Sequence, residues 1–242
     1  MRKLTIIFLF LMVNVWFALG WTPPSPITPP DTIPDAVANM NFGVLGGNVP
    51  AGEAPSGISD NFSGGIGDWT AAEGTWTAAS GYAAPTELSV TGEAALLHDT
   101  ELSSSSLWVQ VKLTNLSDGG ILIGADGNTG PTTWNSIVVY CDATYVYISA
   151  GVIGDADPID GDWYWETSFN AGDYMGVEIS GADNARVVKV WDLGTSAVDH
   201  ASWGAAGFTT SAFASGITGG SFVGLFADDV GAQLDDFSAG DQ

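Results

Sequence analysis

From Asp60 onward the chain alternates apolar and polar positions with a period of two, and no stretch holds the 3.6-residue period of a helix. In "SLWVQVKL", Val109, Val111 and Leu113 share one side, while Trp108, Gln110 and Lys112 share the other. In "ARVVKVWD", Val188 and Val190 face away from Val187, Lys189 and Trp191. Successive side chains of a strand point to opposite faces, so each run reads as a strand with one buried face. The runs "GTWTAA", "GGILIGAD", "SIVVYCD", "TYVYISA", "DWYWETSF", "YMGVEIS" and "FVGLFAD" are of the same kind. Turn signals such as "SDGG", "DGNTG", "GDADPIDGD" and "SGADN" separate them. About ten to twelve short strands in one domain predict an antiparallel two-sheet β-sandwich or jelly roll, and a propeller is excluded by the lack of blade-length repeats.

One phrase occurs twice. "DNFSGG" spans Asp60 to Gly65 near the start of the strand-rich part, and "DDFSAG" spans Asp235 to Gly240 near its end. Nothing around the two phrases repeats, which weighs against an internal repeat and leaves a metal site or two paired edge strands as readings.

The first 58 residues read differently. "MRKLTIIFLFLMVNVWFALG" has a basic start, an apolar run and small residues at Ala18 and Gly20. This is the layout of a signal peptide, with an uncleaved membrane anchor as the alternative, and both put the rest of the chain outside the cell. "WTPPSPITPPDTIP" follows, with proline at six of fourteen positions. Proline fixes φ and removes an amide donor, so residues 21–58 read as an extended arm or linker. The expected organisation is a signal or anchor at 1–20, a Pro/Gly/Ala-rich arm at 21–58 and a β-sandwich at 59–242.

Within the sandwich, "DNFSGGIGDWTAAEGTWTAASGYAAP" resembles the opening of concanavalin A-like (laminin-G-like) jelly-roll domains. "GVEISGADNARVVKVWD" is similar to their late hairpin, and "GGSFVGLFADDVGAQLDDFSAGD" to their closing strands. The resemblance implies that the first and last strands are neighbours in one sheet, with Phe62 and Phe237 entering the core. It further implies a structural calcium near Asp60, Asp235 and Asp236 in the members that carry one. The fold hosts lectins, hydrolases and adhesion modules, so it names no activity.

Charge narrows the partners. The chain carries 28 acidic and 5 basic residues, a formal net charge of −23. Such a surface repels nucleic acid and anionic lipid and attracts cations. The lone Cys141 has no internal disulfide partner, and it sits in step with Ile137 and Val139 as a buried thiol. The paired acids that laminarinase-like members carry on one strand, Glu-x-Asp-x-x-Glu, are absent, which weighs against hydrolysis. The acids of Asp155 to Asp162 form a second candidate calcium loop without EF-hand spacing.

Aromatic residues carry the remaining expectation. Sugars stack their C–H faces on exposed rings, and eight of the ten tryptophans lie in the sandwich. Trp69 and Trp76 belong to the family phrase and read as core. Trp163, Trp165, Trp134, Trp191 and Trp108 are the candidate ligand contacts, each with a second hydrophobic layer as the alternative. Asn61 and Asn115 head Asn-x-Ser sequons. The expectation is an exported, non-catalytic module that binds a glycan or surface ligand, with self-association or a structural role as the alternative.

Overall fold

The computed structural model describes residues 57–127, 135–152, 163–213 and 220–242. The apolar N-terminal segment, the proline-rich arm, Trp134 and the Asp155–Asp162 loop lie outside these residues. The described part holds fifteen strands, numbered in chain order, and one short 3₁₀ turn.

Sheet A contains β1 (Gly57–Asp60), β3 (Thr75–Ala79), β4 (Tyr82–Glu87), β6 (Leu107–Leu113), β11 (Tyr174–Ser180), β12 (Val187–Asp192), β13 (Phe208–Thr209) and β15 (Leu234–Asp241). Its order is β13-β12-β11-β6-β15-β4-β3, with β1 also paired to β15. Sheet B contains β2 (Trp69–Glu73), β5 (Ala94–His98), β7 (Gly119–Ala125), β8 (Asn135–Cys141), β9 (Tyr145–Val152), β10 (Trp163–Glu166) and β14 (Phe222–Ala227), in the order β10-β9-β8-β7-β14-β5-β2. Every pairing within the two sheets is antiparallel. This is the two-sheet jelly roll that the alternation predicts.

The core lies between the inner faces. Val109, Val111 and Leu113 of β6 and Val188 and Val190 of β12 meet Ile121 and Ile123 of β7 and Val223 and Leu225 of β14, all buried. Burial of such aliphatic side chains contributes about 1.5–3 kcal/mol each, which is what holds the layers together. Cys141 faces this core, and burial pushes its thiol up to about 12, so it carries no thiolate at neutral pH. Trp69 and Trp76 are core residues, as the sequence predicts.

The two echoed phrases pair. β1 runs antiparallel to β15 with Asp60 opposite Phe237 and Ser59 opposite Ser238. Phe62 and Phe237 are 2% and 1% exposed, and Trp69 packs on both, with ring centroids 5.4 and 5.0 Å away. The phrases differ in how they turn the backbone. In the first, Phe62 takes a φ of 53° after Asp60, whose Oδ1 accepts the Phe62 N–H at 2.7 Å. In the second, the register against β6 slips between Asp235 and Ser238, and Asp236 takes a φ of 45°. Three steps on β15 match two on β6, so one residue is extra and the strand bulges. The bulge puts Asp235 and Asp236 on the outer face while Phe237 returns to the core.

Candidate functional site

The bulge builds a groove on the outer face of sheet A. It has a volume of about 540 Å³ and is lined by Ser59, Asp60, Asn61, Gln110, Tyr174, Ala197, Asp236, Phe237 and Ser238. Ser59 to Asn61 come from the opening phrase and Asp236 to Ser238 from the closing one. Gln110 is on the outer face of β6, opposite Ser238, and donates to the Ser238 hydroxyl at 3.2 Å. Tyr174 donates its hydroxyl to Asp236 Oδ2 at 2.5 Å. Burial, with that bond and the nearby Asp235 charge, pushes the Tyr174 phenol well above its ordinary value, so it stays a donor.

The β12–β13 connection, residues 193–207, walls one side of the groove and covers the centre of sheet A. Its Val198 N–H donates to Gln110 Oε1 at 3.0 Å. Trp203 is 7% exposed and donates its indole N–H to Val198 O at 3.1 Å. Its ring lies over Gly176 of β11, where an added Cβ would come within 3.0 Å of two ring atoms. Trp108 lies over Gly240 in the same way, with its Nε1 at 2.8 Å from the position of a Cβ. His200 stacks on Trp108, with centroids 4.9 Å apart and planes 6° apart, and its Nε2 is 2.7 Å from Glu178 Oε1. Lys189 holds the other Glu178 oxygen at 3.2 Å.

These contacts decide the fate of the candidate tryptophans. Trp191 is 5% exposed, packs on Trp203 and donates to Gly204 O, so it is not an open sugar platform. Trp108 is sandwiched among His200, Trp203 and Gly240. Both do lie on the outer face, but they form the second hydrophobic layer that seats the 193–207 strap. Trp165 stacks on Phe208 at 4.0 Å and packs against the core, at the edge of a second groove of about 240 Å³ that Glu166, Ser168 and Asp192 also line. Trp163 begins β10. Trp134 lies outside the described residues.

The three acids named for calcium do not fit a shared cation. Asp60 Oδ1 accepts from Phe62 N, and its Oδ2 accepts the Trp69 indole N–H at 2.7 Å. Asp235 Oδ2 is 3.5 Å from Lys112 Nζ, and its Oδ1 accepts from Asp236 N. Asp236 Oδ2 receives the Tyr174 hydroxyl. A calcium site needs six to eight oxygens turned on one point, whereas these oxygens are turned on protein donors. Among the described residues no group of three or more His, Cys, Asp or Glu side chains is arranged to hold a metal ion. The acids fasten the ends of the domain instead. Of the sequon residues, Asn61 is exposed at the groove, while Asn115 bonds Gly231 O and Gln233 N.

Sequence reasoning missed Asn61, Gln110, Tyr174 and Ser238 as groove residues. The available signal was the echo itself: pairing the two phrases puts Ser59 beside Ser238, and the alternation of β6 turns Gln110 to the same face.

Strand order, the paired terminal phrases and the two facing antiparallel sheets define a jelly-roll β-sandwich with a polar groove on the outer face of one sheet. No protein-family model matches the sequence, and no curated protein matches it. Among solved structures, carbohydrate-binding module CBM66 from Bacillus subtilis is 13% identical, covering 70% of this chain and 91% of that one, at a TM-score of 0.45. The Ca2+/Man3GlcNAc-bound exoplasmic/lumenal domain of VIP36 is 14% identical over 71% and 82% of the two chains, at 0.45. Bacillus licheniformis β-glucanase is 12% identical over 78% and 100%, at 0.46.

Proposed function

We propose that the protein is an exported, non-catalytic binding module that takes a neutral glycan in the groove between the 193–207 strap and the paired ends of the domain. One observation carries the reading: carboxylate, carboxamide and hydroxyl groups from Asp236, Asn61, Gln110, Ser59 and Ser238 converge on a groove of about 540 Å³. That volume lies in the range of about 300–1,000 Å³ typical of small-molecule sites. Alternating donors and acceptors are what polyhydroxylated rings require. Sulfated and uronic-acid glycans are disfavoured, because the groove is acidic and the chain carries a net charge of −23.

Binding is favoured over hydrolysis by the state of the groove acids. Glycoside cleavage needs one carboxyl as proton donor and a second as base or nucleophile. Asp60 spends both oxygens on Phe62 N–H and Trp69 N–H, and Asp236 accepts from Tyr174. The test is a glycan array run with calcium and with EDTA, followed by calorimetry on the best hit with Asn61→Ala and Ser238→Ala. Capture of neutral glycans, weakened about tenfold by each substitution, is expected. No capture in either condition, with growth of particles in light scattering, would replace this reading with a self-assembling surface protein.

A further inference from the structure

The outer face of sheet B carries a row of tyrosines fixed by register. Phe226 of β14 lies opposite Gly120 of β7, Gly120 opposite Tyr140 of β8, Tyr140 opposite Tyr147 of β9, and Tyr147 opposite Tyr164 of β10. The rings touch along the row. Tyr140 and Tyr147 stack at 5.0 Å and 20°, Tyr140 meets Phe226 at 5.1 Å, and Tyr147 meets Tyr164 at 6.4 Å. Tyr145 meets Tyr164 nearly at right angles, 5.5 Å away at 87°. Tyr164, at the edge strand, is 56% exposed.

Carboxylates gather at one end of this row, again by register. Gly119 lies opposite Cys141 and Ala227, so the adjoining residues Asp118, Asp142 and Asp228 stand together at the ends of three adjacent strands. Asp228 N–H donates to Asp118 O at 2.8 Å, and Tyr147 donates its hydroxyl to Asp142 Oδ2 at 3.3 Å. No cation balances them among the described residues. Lys112 pairs with Asp235 and Lys189 with Glu178 on sheet A, and Arg186, 1% exposed, pairs with Asp183.

We propose that the exposed β9–β10 edge of this face docks a basic polypeptide segment, with Arg or Lys side chains set on Tyr145, Tyr147 and Tyr164 and held by Asp142 and the adjoining Asp118. Charge complementarity selects that occupant. A second copy would bring the same carboxylates against this corner and be repelled. A glycan finds no open platform at the Tyr140–Tyr147 stack, where each ring covers a face of the other. Tyr164 is 56% exposed and meets Tyr145 nearly at right angles, and a cation over an exposed ring is attracted by its quadrupole. Guanidinium suits the site better than ammonium, because it both stacks and forks to a carboxylate. This surface is separate from the sheet A groove, so it stands or falls independently of glycan binding.

The test uses the full chain and fluorescence anisotropy with oligo-arginine, oligo-lysine and oligo-glutamate peptides of equal length. Oligo-arginine binds best, oligo-glutamate does not bind, and salt weakens the complex. The discriminating variant is Tyr147→Ser with Tyr164→Ser, which leaves the net charge unchanged. It weakens oligo-arginine at least about tenfold and leaves glycan capture intact. Equal affinity in this variant would mean diffuse attraction to an acidic chain and would overturn the proposal. So would sedimentation showing a wild-type dimer that the variant dissolves, since the occupant would then be a second copy. If the variant fails to fold, hydrogen exchange on the wild type decides. Protection of β9 and β10 by the peptide supports the site, and protection elsewhere or nowhere sinks it.

Discussion

The two outer faces of the sandwich solve the same problem in opposite ways. Sheet A has small residues at the centre of its outer face, Gly176 and Gly240, and covers them with Trp203 and Trp108 under the 193–207 strap. It also holds the ion pairs of Lys112 and Lys189. Sheet B places large rings on its own strands, buries Leu97, Leu122, Val138 and Phe226 on the same outer face, and sets carboxylates beside the tyrosine row. The lesson is that covering with the chain's own segment leaves a shaped groove beside the cover. On sheet B the accessible ground is the edge of the outer face, where Tyr164 is 56% exposed beside carboxylates. The first suits a small polar ligand and the second an extended partner.

Removing the cover is the largest expected effect. Trp203→Ala empties the space over Gly176 and costs about 3–5 kcal/mol, as large-to-small changes at buried aromatic residues do. Tyr164→Ala, at the exposed edge strand of sheet B, stays within about 0.5 kcal/mol, as surface substitutions do. Urea unfolding of the two variants checks the contrast, and similar losses in both would erase it.

A smaller effect separates fastening from metal binding at the edge of sheet A. Asp60→Ala removes the acceptor of Phe62 N–H and Trp69 N–H and costs about 1.5–3 kcal/mol, the worth of hydrogen bonds to a charged group. The loss is the same in calcium and in EDTA. A loss seen only with calcium would return Asp60 to the role of ligand.

Smaller still is the pin on the strap. His200→Phe keeps a ring on Trp108 but drops the bond to Glu178, and His200→Ala drops both. The expected costs are about 0.5–1.5 kcal/mol for the lost bond and about as much again for the lost stack. Thermal melts of the two variants give the split, and equal melts would show that the stack holds nothing.

Much of this contrast was legible in the sequence, and the unread part has a physical reason. The alternation of β6 and β12 showed their buried faces correctly, and the family resemblance, rather than the echo alone, implied the pairing seen between β1 and β15. β4 was missed because Pro85 and two alanines hide a strand, and β5 because "AALLH" is a short apolar run without alternation. Trp108 and Trp191 were placed on the right face, yet what covers them is a loop with no period to read. The tyrosine row escaped for a different reason. Tyr145 and Tyr147 visibly share a face, but their contact with Tyr140 and Tyr164 depends on strand order, which no single run encodes.

The smallest expected effect tests the acidic corner of sheet B through pH. Burial, reinforced by Asp142, Asp228 and Asp229, raises the Asp118 carboxyl above its ordinary 3.8, and burial and Asp229 raise Asp228 likewise. A raised folded pKa means that the ionised form is penalised in the fold. Their cost is therefore present at neutral pH, is relieved as pH falls through the raised values, and is gone below about 3.8. Asp142 runs the other way: burial opposes its charge, but Tyr145 and Thr144 N–H and the Tyr147 hydroxyl outweigh it and lower its carboxyl. Its stabilisation is lost as pH falls through that lowered value. His98, lowered chiefly by burial against the pull of Asp68, Asp99 and Asp60, also loses stability as pH falls from 6.5 through its own lowered value. A bare melt-versus-pH curve mixes these slopes, so the readout is the difference between Asp118→Asn and the wild type. Asparagine tolerates the φ of 46° at this position, and the variant gains on the order of 0.5 kcal/mol at neutral pH. That gain shrinks to nothing as the carboxyl protonates. A gain that persists at low pH would mean that backbone preference, rather than repulsion among the carboxylates, sets the cost at this corner.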